Sequence, residues 1–194
     1  MKSVLISIQP KWCELIASGE KTIEVRKTRP KIDTPFKVYI YCTLSGSNEF
    51  FREDCKGDIA EWNRSKMALK KGKVIGEFVC DNVKMSFVGY NEKGLPSYWD
   101  ILDGSCLTPN ELVCYGGFKT LYGWHISDLV IYDKPKELNE FYTECQMNCE
   151  HCEMWGSVRV NAEEFDMDCK SDWFNHKPLK RPPQSWCYVE ELEV

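Results

Sequence analysis

Polar side chains that could do chemistry are concentrated in one short segment, residues 21–27. Successive side chains of a β-strand point to opposite faces, so every second residue shares a face. Thr22, Glu24 and Arg26 would therefore lie on one face of a strand here. Lys21, Arg26 and Lys27 can bind phosphate or a polar base edge. Glu24 can accept a hydrogen bond from an exocyclic amine or orient Lys21. The spacing predicts a polar binding surface. The alternative interpretation is that Glu24 and Arg26 form an ordinary ion pair on one strand face.

The elements that would position this segment are a strand and a short helix just before it. Residues 3–8 are rich in β-branched and aliphatic types, which favours a strand. Pro10 suits the first position of a helix over about residues 10–18, and Gly19 stands where a left-handed C-terminal cap is expected. A second strand is then expected over 22–26.

Further strands are expected over residues 36–43, 74–80 and 124–132, and strand-like sequence returns at 181–189. The order Thr108-Pro109-Asn110-Glu111 has the spacing of a capping box that opens a short helix. Several separated strands with few helices indicate a small β-barrel or an α+β sheet.

The chain has 194 residues and is expected to form one domain over residues 1–194. Two segments depart from the strand pattern. Residues 44–72 are interpreted as an insertion with a helix near 58–70, and residues 145–181 as a Cys-rich loop or lobe. The 7 Trp, 9 Tyr and 9 Phe argue against disorder.

Charge is distributed unevenly along the sequence. The net charge is -5, yet residues 1–40 carry 8 Lys and Arg against 4 Asp and Glu, whereas residues 136–194 carry 6 against 13. The basic part permits a local phosphate-binding surface but is too weak to predict nonspecific duplex binding. No apolar run reaches the roughly 20 residues of a membrane-spanning helix, and no signal peptide is recognisable, so we expect a cytoplasmic protein without membrane contact.

Eleven cysteines are spread through the chain, which fits reduced thiols better than a secreted disulfide framework. Four of them are candidate ligands of a structural zinc ion, with His151 and His176 as further candidates. Their spacing matches a zinc signature only in part, so free thiols stay an alternative and no cofactor is required. The other seven cysteines are expected in the core. The zinc candidates are Cys145, Cys149, Cys152 and Cys169.

Five segments resemble the ASCH domain family, and their order along the chain also matches that family. The most specific one is Gly19-Glu20-Lys21-Thr22-Ile23-Glu24-Val25-Arg26. The others are residues 7–12, 74–78, 124–129 and 182–186. The resemblance implies an α+β, PUA-like fold, in which a small β-barrel is flanked by short helices. It also implies a cleft for RNA or a nucleoside beside the first helix and the strand that follows it.

Several side chains outside residues 21–27 are candidates for this cleft. Trp12 could stack a base, although its position on the apolar helix face favours the core. His125 could hydrogen-bond a ligand or carry a proton, and a structural hydrogen bond is the favoured alternative. Gln184 and Ser185 follow two prolines and could read a base edge or support a turn. The full candidate binding set is Gln9, Trp12, Lys21, Thr22, Glu24, Arg26, Lys27, His125, Gln184 and Ser185.

Three classes of function follow from these residues, and the sequence leaves open whether the chain is an enzyme. The preferred class is a binding module for RNA or a nucleobase-containing ligand. The second is a hydrolase of a modified nucleoside or single-stranded RNA, with Lys21 and Glu24 as catalytic groups. Here the resemblance is to bacterial N4-acetylcytidine amidohydrolase, whose lysine matches Lys21, but its threonine three residues later is replaced by Glu24. The third is a module that binds a protein partner through the acidic C-terminal lobe.

Overall fold

The computed structural model describes residues 2–44, 70–87, 89–90, 96–97, 99–143 and 178–192. Its strands and helices follow in chain order. They are β1 (Lys2–Ile8), α1 (Pro10–Ala17), β2 (Ile23–Arg26), β3 (Phe36–Cys42), β4 (Val74–Cys80), β5 (Val83–Phe87), β6 (Gly89–Tyr90), β7 (Pro96–Ser97), α2 (Trp99–Leu102), α3 (Pro109–Gly116), β8 (Thr120–His125), β9 (Ser127–Lys136) and β10 (Trp186–Glu190). A 3-10 turn at Leu138–Glu140 follows β9.

The main sheet has five strands in the order β10, β1, β3, β4, β9. β1 and β3 run parallel, and α1 lies in the crossover between them, while the other pairs are antiparallel. Both faces of the sheet are covered. Alternate residues such as Ile6 and Ile40 pack in one apolar cluster, whereas Leu5 and Tyr39 pack in another with Phe141. β1 and β3 are therefore buried on two sides, which explains their nearly continuous apolar sequence.

Helix α1 begins and ends close to where its sequence predicts. Pro10 occupies the first turn, where a missing backbone N–H costs nothing. Cys13 and Ile16 are fully buried against β1 and β3. The chain then turns through Gly19 at φ +80°, a conformation that suits glycine, and reaches β2.

A second sheet, in the order β2, β8, β5, carries the polar segment. On one face Ile23 and Val25 pack with Ile101, Leu112 and Leu121, so this face is covered by α2 and α3. Helix α3 has the predicted capping box, because the Thr108 hydroxyl accepts from the Glu111 backbone N–H and the Glu111 carboxylate accepts from the Thr108 N–H. Glu24 and Arg26 point to the opposite face.

The α+β class is confirmed, but the predicted closed barrel is wrong for the described residues. They form separate sheets of five, three and two strands. The predicted strand over 124–132 is in fact two strands, which are separated at Ile126; Asp128, the second residue of β9, takes a positive φ of 46°. β8 then stays with β2 and β5 while β9 joins β4, and the two sheets pack face to face without a shared ladder.

Two predictions on cysteines and insertions have different outcomes. Cys13, Cys42 and Cys80 are buried as expected, but Cys106 and Cys114 are exposed, because they lie in the loop before α3 and on its solvent side. The core assignment is wrong for those two. Most of the predicted insertion at 44–72 and of the Cys-rich segment at 145–181 lies outside the described residues.

None of the described helices combines the length and the apolar character that crossing a membrane requires.

Gly76 lies where β4 and β9 leave no room for a side chain. A Cβ added there would lie 2.3 Å from the Val130 carbonyl oxygen and 3.1 Å from the Ile131 Cα, both backbone atoms that have little room to move. We expect Gly76→Ala to lower the free energy of unfolding by about 1–3 kcal/mol through overpacking, as measured by urea denaturation. The control is Lys84→Ala at an exposed position of β5, with a change under about 0.5 kcal/mol. Equal stability of both variants would contradict the close approach.

Candidate functional site

Lys21, Glu24 and Arg26 form a buried charged cluster, here called the triad. Their exposed fractions are 3%, 6% and 9%. One Glu24 carboxylate oxygen lies 3.4 Å from Lys21 Nζ, and the other lies 2.9 Å from Arg26 Nη2. The predicted ion pair between Glu24 and Arg26 is thus present, and it includes Lys21 as a third member.

The Lys21 ammonium is held by backbone carbonyls as well as by Glu24. Its Nζ donates to Ile23 O at 2.8 Å and to Ser105 O at 2.7 Å. Ser105 follows Gly104, whose carbonyl accepts from the backbone N–H groups of Thr22 and Ile23. Gly104 has φ +77°, and a Cβ there would lie 2.2 Å from Thr22 Oγ1. The loop after α2 therefore needs glycine at this position to bring Ser105 to the lysine.

Arg26 is anchored from the main sheet. Its Nη2 donates to Ser7 O at 2.7 Å, and its Nη1 lies 3.5 Å from Ser185 Oγ. Ser7 in turn holds the segment before β10, because its hydroxyl donates to Pro183 O at 2.6 Å and its N–H donates to Ser185 O at 2.9 Å. The Nε–H of Arg26 is buried and has no hydrogen-bond partner among the described residues.

The charges of the triad do not balance. Two cationic side chains, Lys21 and Arg26, face a single carboxylate, and all three are at least nine-tenths buried. A guanidinium has five N–H donors, and that of Arg26 has short hydrogen bonds only at Nη2. Buried donors are normally paired. The site is therefore suited to an electron-rich acceptor such as a carbonyl, a ring nitrogen or a phosphate oxygen.

Trp12 packs in the core, as its position on the apolar helix face predicted, and it also lies beside Lys21. It is half-buried and packs against the main core cluster. The centre of its ring also lies 5.1 Å from Lys21 Nζ and 4.3 Å from Lys11 Nζ. Trp12 thus contributes to the core while one part of its ring borders the triad.

Tyr115 on α3 lies near the site and was not among the sequence candidates. Its ring centre is 4.9 Å from Lys27 Nζ. Burial raises the pKa of the Tyr115 hydroxyl, while nearby Arg26 acts in the opposite direction and Glu24 adds to the rise. The neutral phenol is therefore the form present at neutral pH. The capping box predicted α3, but no sequence pattern relates Tyr115 to Lys27, which is far away along the chain.

The remaining candidates do not all meet at the triad. Ser185 contacts Arg26, whereas Gln9, Thr22, Lys27 and Gln184 are exposed, and Thr22 lies beside Gly104 just before β2 begins.

His125 lies on the wrong side of the sheet for the triad. It is paired with Ile23 across β2 and β8, and directly paired residues share a face, so its side chain is on the face opposite Glu24. Its Nδ1 lies 2.6 Å from Asp81 Oδ1. This contact fits the structural alternative.

The four zinc candidates, Cys145, Cys149, Cys152 and Cys169, lie outside the described residues. Within the described part of the chain, no three His, Cys, Asp or Glu side chains are grouped as a metal site would need. The zinc hypothesis therefore stays a prediction.

Glu24 is expected to be the stabilising member of the triad. Glu24→Gln keeps the shape of the side chain but leaves two buried cations without a counter-charge. We expect the free energy of unfolding to fall by about 3 kcal/mol, measured by chemical denaturation. The matched control is Glu20→Gln, since Glu20 is exposed, and its change should stay below about 0.5 kcal/mol. If Glu24→Gln is as stable as the parent chain, the triad does not stabilise the fold.

Comparison with known proteins gives one family and one group of structures. Residues 6–86 match the ASCH domain. An ASCH crystal structure from Zymomonas mobilis has a TM-score of 0.53 at 16% identity, covering 97% of this chain and 88% of that one. A serine-to-alanine mutant of that protein gives 0.52 at 16% identity with 97% and 89% coverage, and a tyrosine-to-phenylalanine mutant gives 0.51 at 16% identity with 98% and 92%.

No curated protein matches the sequence. The ASCH match covers the α1 and β2 elements that carry the triad, and the solved structures share the fold over nearly the whole chain. The predicted resemblance of this chain to the ASCH domain family is therefore confirmed.

Proposed function

We propose that this protein binds RNA or a nucleobase-containing ligand in the cleft beside α1 and β2, with the triad as its floor. The ASCH resemblance supports an RNA-related role at the level of the family. The observation that carries the proposal is the surplus of donors on Arg26, which is buried and makes short hydrogen bonds only through Nη2.

The geometry favours Arg26 as the group that recognises the ligand. Glu24 and Ser7 O both hold Nη2, so the guanidinium plane is kept in one orientation. With both Nη2 protons used, the donors left for an acceptor of a base edge or a phosphate are Nε–H and Nη1. Ser185 Oγ lies at 3.5 Å from Nη1, a weak contact that a ligand oxygen could replace.

Aromatic and polar groups around the triad supply the other contacts of such a ligand. Trp12 offers the part of its ring that borders Lys21, and Tyr115 lies beside Lys27. Stacking on aromatic rings and hydrogen bonds to base edges are the usual means of recognising unpaired bases. Exposed Lys27 and Gln184 would contact a phosphate and a base edge, respectively.

Lys21 fits a positioning role better than a catalytic one. Two carbonyl oxygens and the Glu24 carboxylate surround its ammonium within 3.4 Å. A catalytic lysine needs an open approach to the substrate, whereas this group already has an acceptor for each of its three protons. The binding module therefore remains the preferred class, and turnover is measured in the same experiment.

Arg26→Lys keeps the cation and removes the planar fork of donors. We expect it to weaken binding of a short single-stranded RNA by about tenfold or more, since it removes the Nε–H and Nη1 donors and a hydrogen bond to a charged group contributes about 1.5–3 kcal/mol. Fluorescence anisotropy at low salt would measure affinity, and mass spectrometry of the same mixture would detect any product. Modified nucleosides, including acylated ones, are tested in parallel.

The control variant is Lys134→Gln, which removes an exposed cation on β9 and should leave affinity almost unchanged. Thermal unfolding of both variants shows whether Arg26→Lys is folded. If the folded Arg26→Lys variant binds like the parent, or if the parent binds neither RNA nor a nucleoside at low salt, the proposed function is wrong. Product formation that disappears in Lys21→Ala would establish the hydrolase instead.

A further inference from the structure

The face of the second sheet that carries Glu24 and Arg26 continues past the triad to an exposed apolar edge. In the register of β2, β8 and β5, Arg26 is opposite Tyr122, and Tyr122 is opposite Met85. Residues directly opposite each other in antiparallel strands point to the same face. Arg26, Tyr122 and Met85 therefore form one row across the sheet, which is about 10 Å long at two strand spacings.

Exposure increases along this face from one row to the next. The row of Glu24, Trp124 and Val83 packs against the main core cluster. In the next row Arg26 is buried and Tyr122 half-buried, but Met85 is 68% exposed. In the last row Phe87, opposite Thr120, is 56% exposed. Met85 and Phe87 thus form an exposed surface on the same sheet face as Glu24 and Arg26, here called the apolar edge.

The exposed Lys119 adjoins Thr120, the partner of Phe87. Lys84 on β5 is opposite Gly123, so its side chain lies on the other face of the sheet. At the Arg26 end of the row formed by Arg26, Tyr122 and Met85, Ser185 contacts Arg26. Trp186, next to Ser185 in the sequence, donates its indole N–H to Thr28 Oγ1. A polar and aromatic track therefore runs from Ser185 over Arg26 and Tyr122 to the apolar edge.

We infer that the apolar edge is a second subsite for a single-stranded RNA whose recognised nucleotide lies at the triad. This inference rests on the proposed function and narrows it, because a free nucleoside would occupy the triad alone. Phe87 would stack the base of a flanking nucleotide, Met85 would pack beside it, and Lys119 would neutralise its phosphate. Base stacking on an aromatic ring combined with a nearby cation is the general way in which proteins hold single strands. Continuity with the triad face and the cation Lys119, next to the partner of Phe87, favour a nucleic acid over a protein partner.

The test compares a strand with a single nucleotide. Phe87→Ala should weaken binding of a labelled single-stranded RNA of about 8 nucleotides by about tenfold, because one stacked base contributes about 1–3 kcal/mol. Affinity for the corresponding mononucleotide should not change. Phe87→Tyr keeps an aromatic ring and should restore strand binding. Phe87 is exposed, so neither variant should affect folding, and thermal unfolding checks this.

The matched control is Val130→Ala, which shortens an exposed apolar side chain on β9 and should leave both affinities unchanged. The inference is overturned if Phe87→Ala binds the strand as tightly as the parent, or if the parent binds the mononucleotide and the strand equally well. In both cases the proposed function stands, since the ligand still binds at the triad. If the parent binds neither probe, the proposed function itself fails, and the inference fails with it.

Discussion

Much of this structure depends on the need to accommodate charge in the interior. Lys21, Glu24 and Arg26 lie where sheets and loops meet, and most of the surface of each is buried away from water. A buried charge is tolerated only when it is paired and hydrogen-bonded. The partners come from distant parts of the chain: the loop after α2 supplies Ser105 O, and β1 supplies Ser7 O. The triad thus connects the second sheet, the main sheet and the α2 loop at one place.

This constraint also explains why the two faces of β2 differ so much. Ile23 and Val25 add to an ordinary apolar cluster under α2 and α3, which can tolerate changes of similar volume. Glu24 and Arg26 face partners whose positions are set by hydrogen-bond geometry to within a few tenths of an ångström. The apolar face holds the strand in place, and the polar face uses that rigidity to keep the guanidinium in one orientation.

Local sequence patterns predicted the strands and helices well, but they could not predict contacts between residues that are distant in the chain. The proline and glycine around α1, the alternation in β2 and the capping box of α3 are all properties of a few neighbouring residues, and each prediction is confirmed. One apolar run is divided into β8 and β9 at Ile126, and Asp128 just beyond the break has a positive φ; periodicity reveals neither. The prediction of a closed barrel was wrong because closure depends on which distant strands pair, and local patterns do not show that pairing.

The candidate site shows the same limit. Residue types in 21–27 identified the charged members, but their acceptors are largely backbone carbonyls, which have no signature in a sequence. His125 looked suitable by type and lies on the other face of the sheet, while Tyr115 had no distinguishing pattern and lies beside Lys27.

The contact of Ser185 with Arg26 and of Pro183 with Ser7 has a consequence for biosynthesis. These pairs are separated by 159 and 176 positions in the sequence. A ribosome that has translated as far as β9 has already released Arg26 and most of the main sheet, but β1 still lacks the neighbour that completes its edge. Ser185 and Pro183 can therefore contact Arg26 and Ser7 only when residues 183–190 have left the exit tunnel, so the last part of the candidate site forms after most of the main sheet has been synthesised.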